Sequence, residues 1–114
     1  MMSDGDEQIV AVVVRIATPG HPAFQLRKGE EGLSVFDPDG VEPPLTEEEI
    51  VDAFRPGSMV LYRTLMQIKE LGLDVIVCEG VDSIPERLRI AHREVRPNPG
   101  MSRTAFKSAI KELE

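Results

Sequence analysis

Gln8-Ile9-Val10-Ala11-Val12-Val13-Val14-Arg15-Ile16-Ala17 is the stretch on which the fold turns. Val and Ile accept extended backbone and pack well on a pleated surface, so it predicts a β-strand. Its apolarity is nearly continuous until Arg15, which predicts a central strand buried on both faces. The apolar run Ile9–Val14 has only six residues, far short of the roughly 20 needed to span a bilayer.

Outward from this strand, Thr18-Pro19-Gly20-His21-Pro22 must be a loop, because two prolines and a glycine exclude helix and ladder alike. Extended pieces at Ala23–Leu26 and Gly32–Phe36, around the polar turn at 27–31, predict a hairpin. Asp37-Pro38-Asp39-Gly40 reads as a turn; Pro43 and Pro44 end its likeness to a calcium loop. Thr46 and Glu49 form an expected capping box that opens a short acidic helix through Phe54. Ser58 is placed to cap a second helix carrying Leu61, Leu65, Ile68 and Leu71 at helical spacing, with Gly72 just past its end.

Leu73–Cys78 predicts another buried strand, and Ser83-Ile84-Pro85-Glu86 opens at most two helical turns. Ile90–Arg96 alternates as a strand does. Ser102 is placed to cap a terminal helix with Ala105, Phe106, Ala109, Ile110 and Leu113 on one stripe. The order is roughly βββααβ(α)βα. It describes one α+β domain over residues 8–114, with a mixed sheet of about four to five strands and two or three packed helices. A disordered acidic N-terminus is expected over residues 1–7.

With 114 residues and 12.6 kDa, one domain buries roughly two thirds of its unfolded surface and needs no covalent staple. Cys78 is the only cysteine, which excludes an intramolecular disulfide and points to a reducing, cytoplasmic setting. The acidic start is the opposite of a signal-peptide n-region. The net charge of −7 argues against membrane surfaces and indiscriminate polyanion binding. That charge is divided unevenly: residues 84–114 carry +3 and the preceding 83 carry −10. A basic patch at 87–111 therefore keeps a local anion or RNA site open, although four Phe, one Tyr and no Trp offer little for base stacking.

No phosphate-binding glycine loop, zinc-protease, nucleophile-elbow or paired-cysteine motif occurs, so neither a cofactor nor a metal is expected. Chemistry must come from two polar clusters. The first, His21 to Ser34, holds an imidazole, Arg27, carboxylates and the Ser34 hydroxyl. In the second, His92 and Glu94 project from one face of a strand about 7 Å apart. His21 and His92 as acid and base, with Arg27 or Arg93 steadying an anion, would suit a metal-independent ribonuclease.

Arg15 on the first strand, Ser34 within Gly32-Leu33-Ser34-Val35 and Glu94 on a late strand follow an order that resembles the Arg–Ser–Glu layout of ADP-ribosyltransferases. The resemblance implies that Arg holds dinucleotide phosphates, Ser the ribose and Glu the transferring centre. The second glutamate of arginine-specific members has no counterpart.

The expected Ser58 helix carries more apolar surface than one buried stripe requires, with Met59, Tyr62 and Met66 suited to a protein interface. Arg89, Arg93 and Arg96 add a basic partner surface. The leading expectation is a small cytoplasmic, non-enzymatic accessory or regulatory module that binds a protein partner or a second copy of itself. The alternative is a toxin-like enzyme acting on RNA or NAD through His21, Arg27, Ser34, His92 and Glu94.

Overall fold

The computed structural model describes residues 12–78, 80 and 82–114; the expected N-terminal segment 1–7 and residues 8–11 of the expected first strand lie outside the described residues. β1 (Val12–Ala17), β2 (Leu33–Phe36), β3 (Met59–Thr64), β4 (Leu73–Val77) and β5 (His92–Pro97) form one sheet in the order β3-β1-β2-β5-β4. Among the described residues four α-helices accompany it: α1 (Glu47–Asp52), α2 (Leu65–Glu70), α3 (Glu86–Ala91) and α4 (Arg103–Lys111). The chain is α+β and a single domain. The sheet is antiparallel at each described pairing rather than mixed. The helix-bearing connections return the chain beside a strand of opposite direction, so no two neighbouring strands of the described sheet run parallel.

Side chains alternate across the sheet, giving it two apolar faces. On one, Val13, Leu33, Val35, Leu73 and Val95 lie beneath Ile68 of α2 and Phe106, Ala109 and Ile110 of α4. On the other, Val14 and Phe36 meet Ile50 of α1 and Leu88 and Ala91 of α3, with Ile16 and Val60 packed alongside. β1 is central and two-sided, as its composition requires. Ser102 caps α4 by accepting from the Ala105 amide at 3.1 Å.

The Ser58 helix divides. Its first six residues are β3, an edge strand registered against β1 from Val12↔Thr64 to Ala17↔Met59. The apolar surplus belongs to a strand that feeds both cores, Val60 on one face and Leu61 on the other. A helix starts only at Leu65, where Thr64 and Gln67 form a full capping box. Ser58 instead donates its hydroxyl proton to the Arg55 carbonyl at 2.6 Å.

Three further elements differ. Ala23–Leu26 is loop, not the first arm of a hairpin: Arg15 takes the Ala23 carbonyl, and Ala23, Phe24 and Leu26 plug the first core. Leu73–Val77 is an edge strand; Leu73 is buried, but Val77 is 79% exposed, and among the described residues no strand pairs with the outer side of β4. Ile90 and Ala91 finish α3, so the last strand begins at His92. Thr46 does accept from the Glu49 amide, but the Glu49 carboxylate turns to Arg87 instead of closing the box.

Candidate functional site

A cleft of about 270 Å³ opens on the second face of the sheet, lined by Arg15, Ile16, Ser34, Phe36, Phe54, Gly80, Ile84, His92 and Glu94. Its floor follows from strand register. Ser34 stands opposite Glu94 and Phe36 opposite His92, so period-two alternation sets these four side chains as a tile on one face. Phe36 meets His92 edge-on at 5.6 Å and Phe54 edge-on at 5.9 Å, leaving one wall aromatic.

Arg15 sits where the sheet parts. Among the described residues, β1 and β2 are registered only at Val14↔Phe36, whereas β1 and β3 are registered at six positions. Where that ladder stops, the guanidinium donates through Nε to the Ala23 carbonyl and through Nη1 to the Ser34 carbonyl, both at 2.8 Å. Burial pulls its pKa below the ordinary value, against the opposing field of Glu30. Arg15 thus fastens the backbone that carries Ser34.

His92 is 8% exposed. Its Nδ1 lies 2.6 Å from the Cys78 carbonyl. A carbonyl only accepts, so Nδ1 carries the proton and Nε2 holds the lone pair in the neutral ring. Glu94 is held by Arg96, whose Nε and Nη2 both donate to Oε1, at 2.8 and 2.6 Å. Burial, then the Glu94 carboxylate, pushes the Cys78 thiol up, which disfavours the nucleophilic thiolate.

Two glycines shape the walls. A Cβ at Gly32 would stand 2.8 Å from Glu94 Oε1, and one at Gly80 would stand 2.9 Å from Ile84 Cδ1 and 3.2 Å from His92 Cβ. Ser34, His92 and Glu94 are among the groups that the sequence points to, with Arg15 through the resemblance; Phe36, Phe54, Ile84 and the two glycines carry no such signal of their own. Phe36 was findable, being two residues from Ser34 on the same strand.

His21 and Arg27 do not reach this cleft. Both are exposed, and their loop folds over the opposite face, where Phe24 and Leu26 are buried. The sheet separates them from His92, so the acid and base pair of histidines is not assembled.

The residues chosen for a partner surface are also dispersed. Met59, Tyr62 and Met66 are exposed, by 60%, 47% and 46%. Met59 and Tyr62 now lie on a strand three residues apart, hence on opposite faces, not on one helix face. Tyr62 donates to Glu47 Oε1 at 3.3 Å.

The arginines turn inward. Arg87 pairs with Glu49 at 2.6 Å, Arg89 with Asp82 at 3.2 Å, Arg93 with Asp37 at 3.8 Å, and Arg96 with Glu94 and Glu31. Arg103 donates to the carbonyls of Glu30 and Arg27. Arg87, Arg89, Arg93 and Arg96 of the basic last quarter thus each meet a carboxylate of the acidic remainder. Among the described residues, no group of three His, Cys, Asp or Glu could hold a metal ion, and no helix is long and apolar enough to cross a membrane.

No protein-family model matches the chain, and neither a curated protein nor a solved structure shows a match.

Proposed function

We propose that this chain is a small enzyme that cleaves or transfers at the glycosidic bond of NAD, using the cleft between β2, β5 and the α1 and α3 side of the fold. One observation carries the reading: Ser34 and Glu94, far apart in sequence, line a single cleft with His92 beside them, and Arg15 borders it with its guanidinium tied to the Ala23 and Ser34 carbonyls. A volume of about 270 Å³ is at the small end for ligand pockets and suits one ring and its sugar, with the rest of the dinucleotide outside.

Each group has a chemical task. Phe36, Phe54, Ile16 and Ile84 offer an apolar slot for a flat ring. Ser34 supplies a hydroxyl for the ribose. As the bond from the ribose C1′ to the nicotinamide nitrogen breaks, its electron pair leaves with nicotinamide, and the Glu94 carboxylate stabilises the cation developing on the sugar. The incoming nucleophile, water or an acceptor group, bonds to C1′ and gives its proton to His92 Nε2. The lone cysteine favours an intracellular setting.

The test is NAD consumption by the purified chain, followed by nicotinamide release. Ser34→Ala and Glu94→Gln should each lower turnover by about 100-fold or more while circular dichroism stays native. Wild-type protein without NAD turnover, or full turnover in both variants, would sink the proposal.

A second reading, a protein-binding module, rests on the exposed Met59, Tyr62 and Met66 and the exposed edge residue Val77. Quantitative association with a purified binding partner, lost in Met59→Asp and Met66→Asp but retained in Glu94→Gln, would favour it.

A further inference from the structure

We infer that Arg96 is a positioning residue for Glu94, clasping it against the cleft wall over the gap left by Gly32. This deepens the NAD reading and rests on it for its functional arm. Residues 94 and 96 are two apart on β5 and share a face. Both guanidinium donors converge on one carboxylate oxygen, Oε1, leaving Oε2 outside the grip of Arg96. A surface pair formed by chance would need no special neighbour, whereas this one crosses a residue that has no side chain. A Cβ at position 32 would lie 2.8 Å from Glu94 Oε1 and 3.1 Å from Arg96 Nε, the two atoms of the clasp.

The geometry has a reason. A glutamate has three side-chain torsions, and an unheld carboxylate would sample several orientations. A charge-assisted pair at 2.6 to 2.8 Å, with the Glu94 side chain only 20% exposed and that of Arg96 35% exposed, fixes one of them. The register sets residue 94 opposite Ser34, and the clasp draws its carboxylate toward position 32. Glu31 reaches Arg96 only at 3.8 Å with its side chain 83% exposed, so it is the weak outer partner.

The experiment uses the full chain, with NAD as the probe. Arg96→Gln should lower kcat by about 10- to 100-fold with little change in KM, the size expected for a misplaced group. Arg96→Lys should recover part of the loss. Gly32→Ala should reproduce it by crowding Oε1, and Glu31→Gln should change turnover less than about twofold. In a Glu94→Gln background, Arg96→Gln should add nothing; independent, additive losses would overturn the inference.

A second readout needs no turnover: side-chain NMR couplings of Glu94 should report one rotamer in the wild type and averaging in Arg96→Gln. Averaging already in the wild type overturns the clasp. A fixed rotamer that Arg96→Gln releases, in a chain that consumes no NAD, supports the clasp and rejects the NAD reading.

Discussion

The two faces of the sheet are built to different standards. Among the described residues, the face under α2 and α4 buries thirteen apolar side chains, helped by Phe24 and Leu26 from the loop after β1. The face under α1 and α3 buries six and leaves the cleft beside them. One side is closed over by a long helix and a plugging loop; the other is spanned by two short helices tied through Arg87 and Glu49. The lesson is a division of labour: apolar burial concentrates where packing is complete, and the polar side chains of the candidate site gather where it is interrupted.

The strongest way to break this comparison is Phe24→Ala. Phe24 is 2% exposed, with the Arg63 guanidinium 4.5 Å from its ring centroid. Its removal should cost about 3–5 kcal/mol in denaturant unfolding, although the residue belongs to a loop. A loss under about 1 kcal/mol would mean that the loop is not part of the core.

A smaller effect is expected at the α2 terminus. Thr64→Ala removes both the Oγ acceptor for the Gln67 amide and the order of the capping box, and should lower stability by about 1 kcal/mol, with NAD turnover unchanged. Chemical denaturation checks the first part. A change in turnover would show that the two faces are coupled through β3.

The smallest effect concerns the clamp on the open face. The hydrogen bond from Arg87 holds the Glu49 carboxyl below its ordinary value. A carboxyl depressed on folding contributes stability that is present above the unfolded value and is lost as pH falls through the folded one. The melting temperature of Glu49→Gln should therefore lie slightly below wild type at neutral pH, and the difference should vanish in acid. A difference that persists in acid would point to packing instead of charge.

Much of this architecture is legible in the amino-acid sequence. β1 announced itself by composition, α4 by its cap and stripe, and Gly72 by its place after α2, where its φ is +81°. β3 was not legible as a strand, because Leu61, Leu65 and Ile68 satisfy helical spacing as well as they satisfy a strand followed by a helix. What decided it was the open edge of β1, which offers ladder hydrogen bonds to Met59–Thr64. Tertiary pairing outweighed a local pattern whose two solutions differ little in intrinsic propensity.

The candidate site divides the same way. Ser34, His92 and Glu94 could be named from residue type and from alternation along one strand, since chemistry needs those groups and period two sets which share a face. Exclusion of His21 and Arg27 could not, because it depends on the side of the sheet to which the loop after β1 folds. Nor could the fate of the charge asymmetry: the sum is a property of composition, but whether opposite charges meet depends on distances between elements far apart in the chain. By itself the sequence determined an α+β domain with a two-sided central strand, because apolar periodicity and turn chemistry act over a few residues. Only the tertiary structure decided the antiparallel order, the strand identity of Met59–Thr64 and the meeting of β1, β2 and β5 at one cleft, because those depend on which distant segments pair and which face each covers.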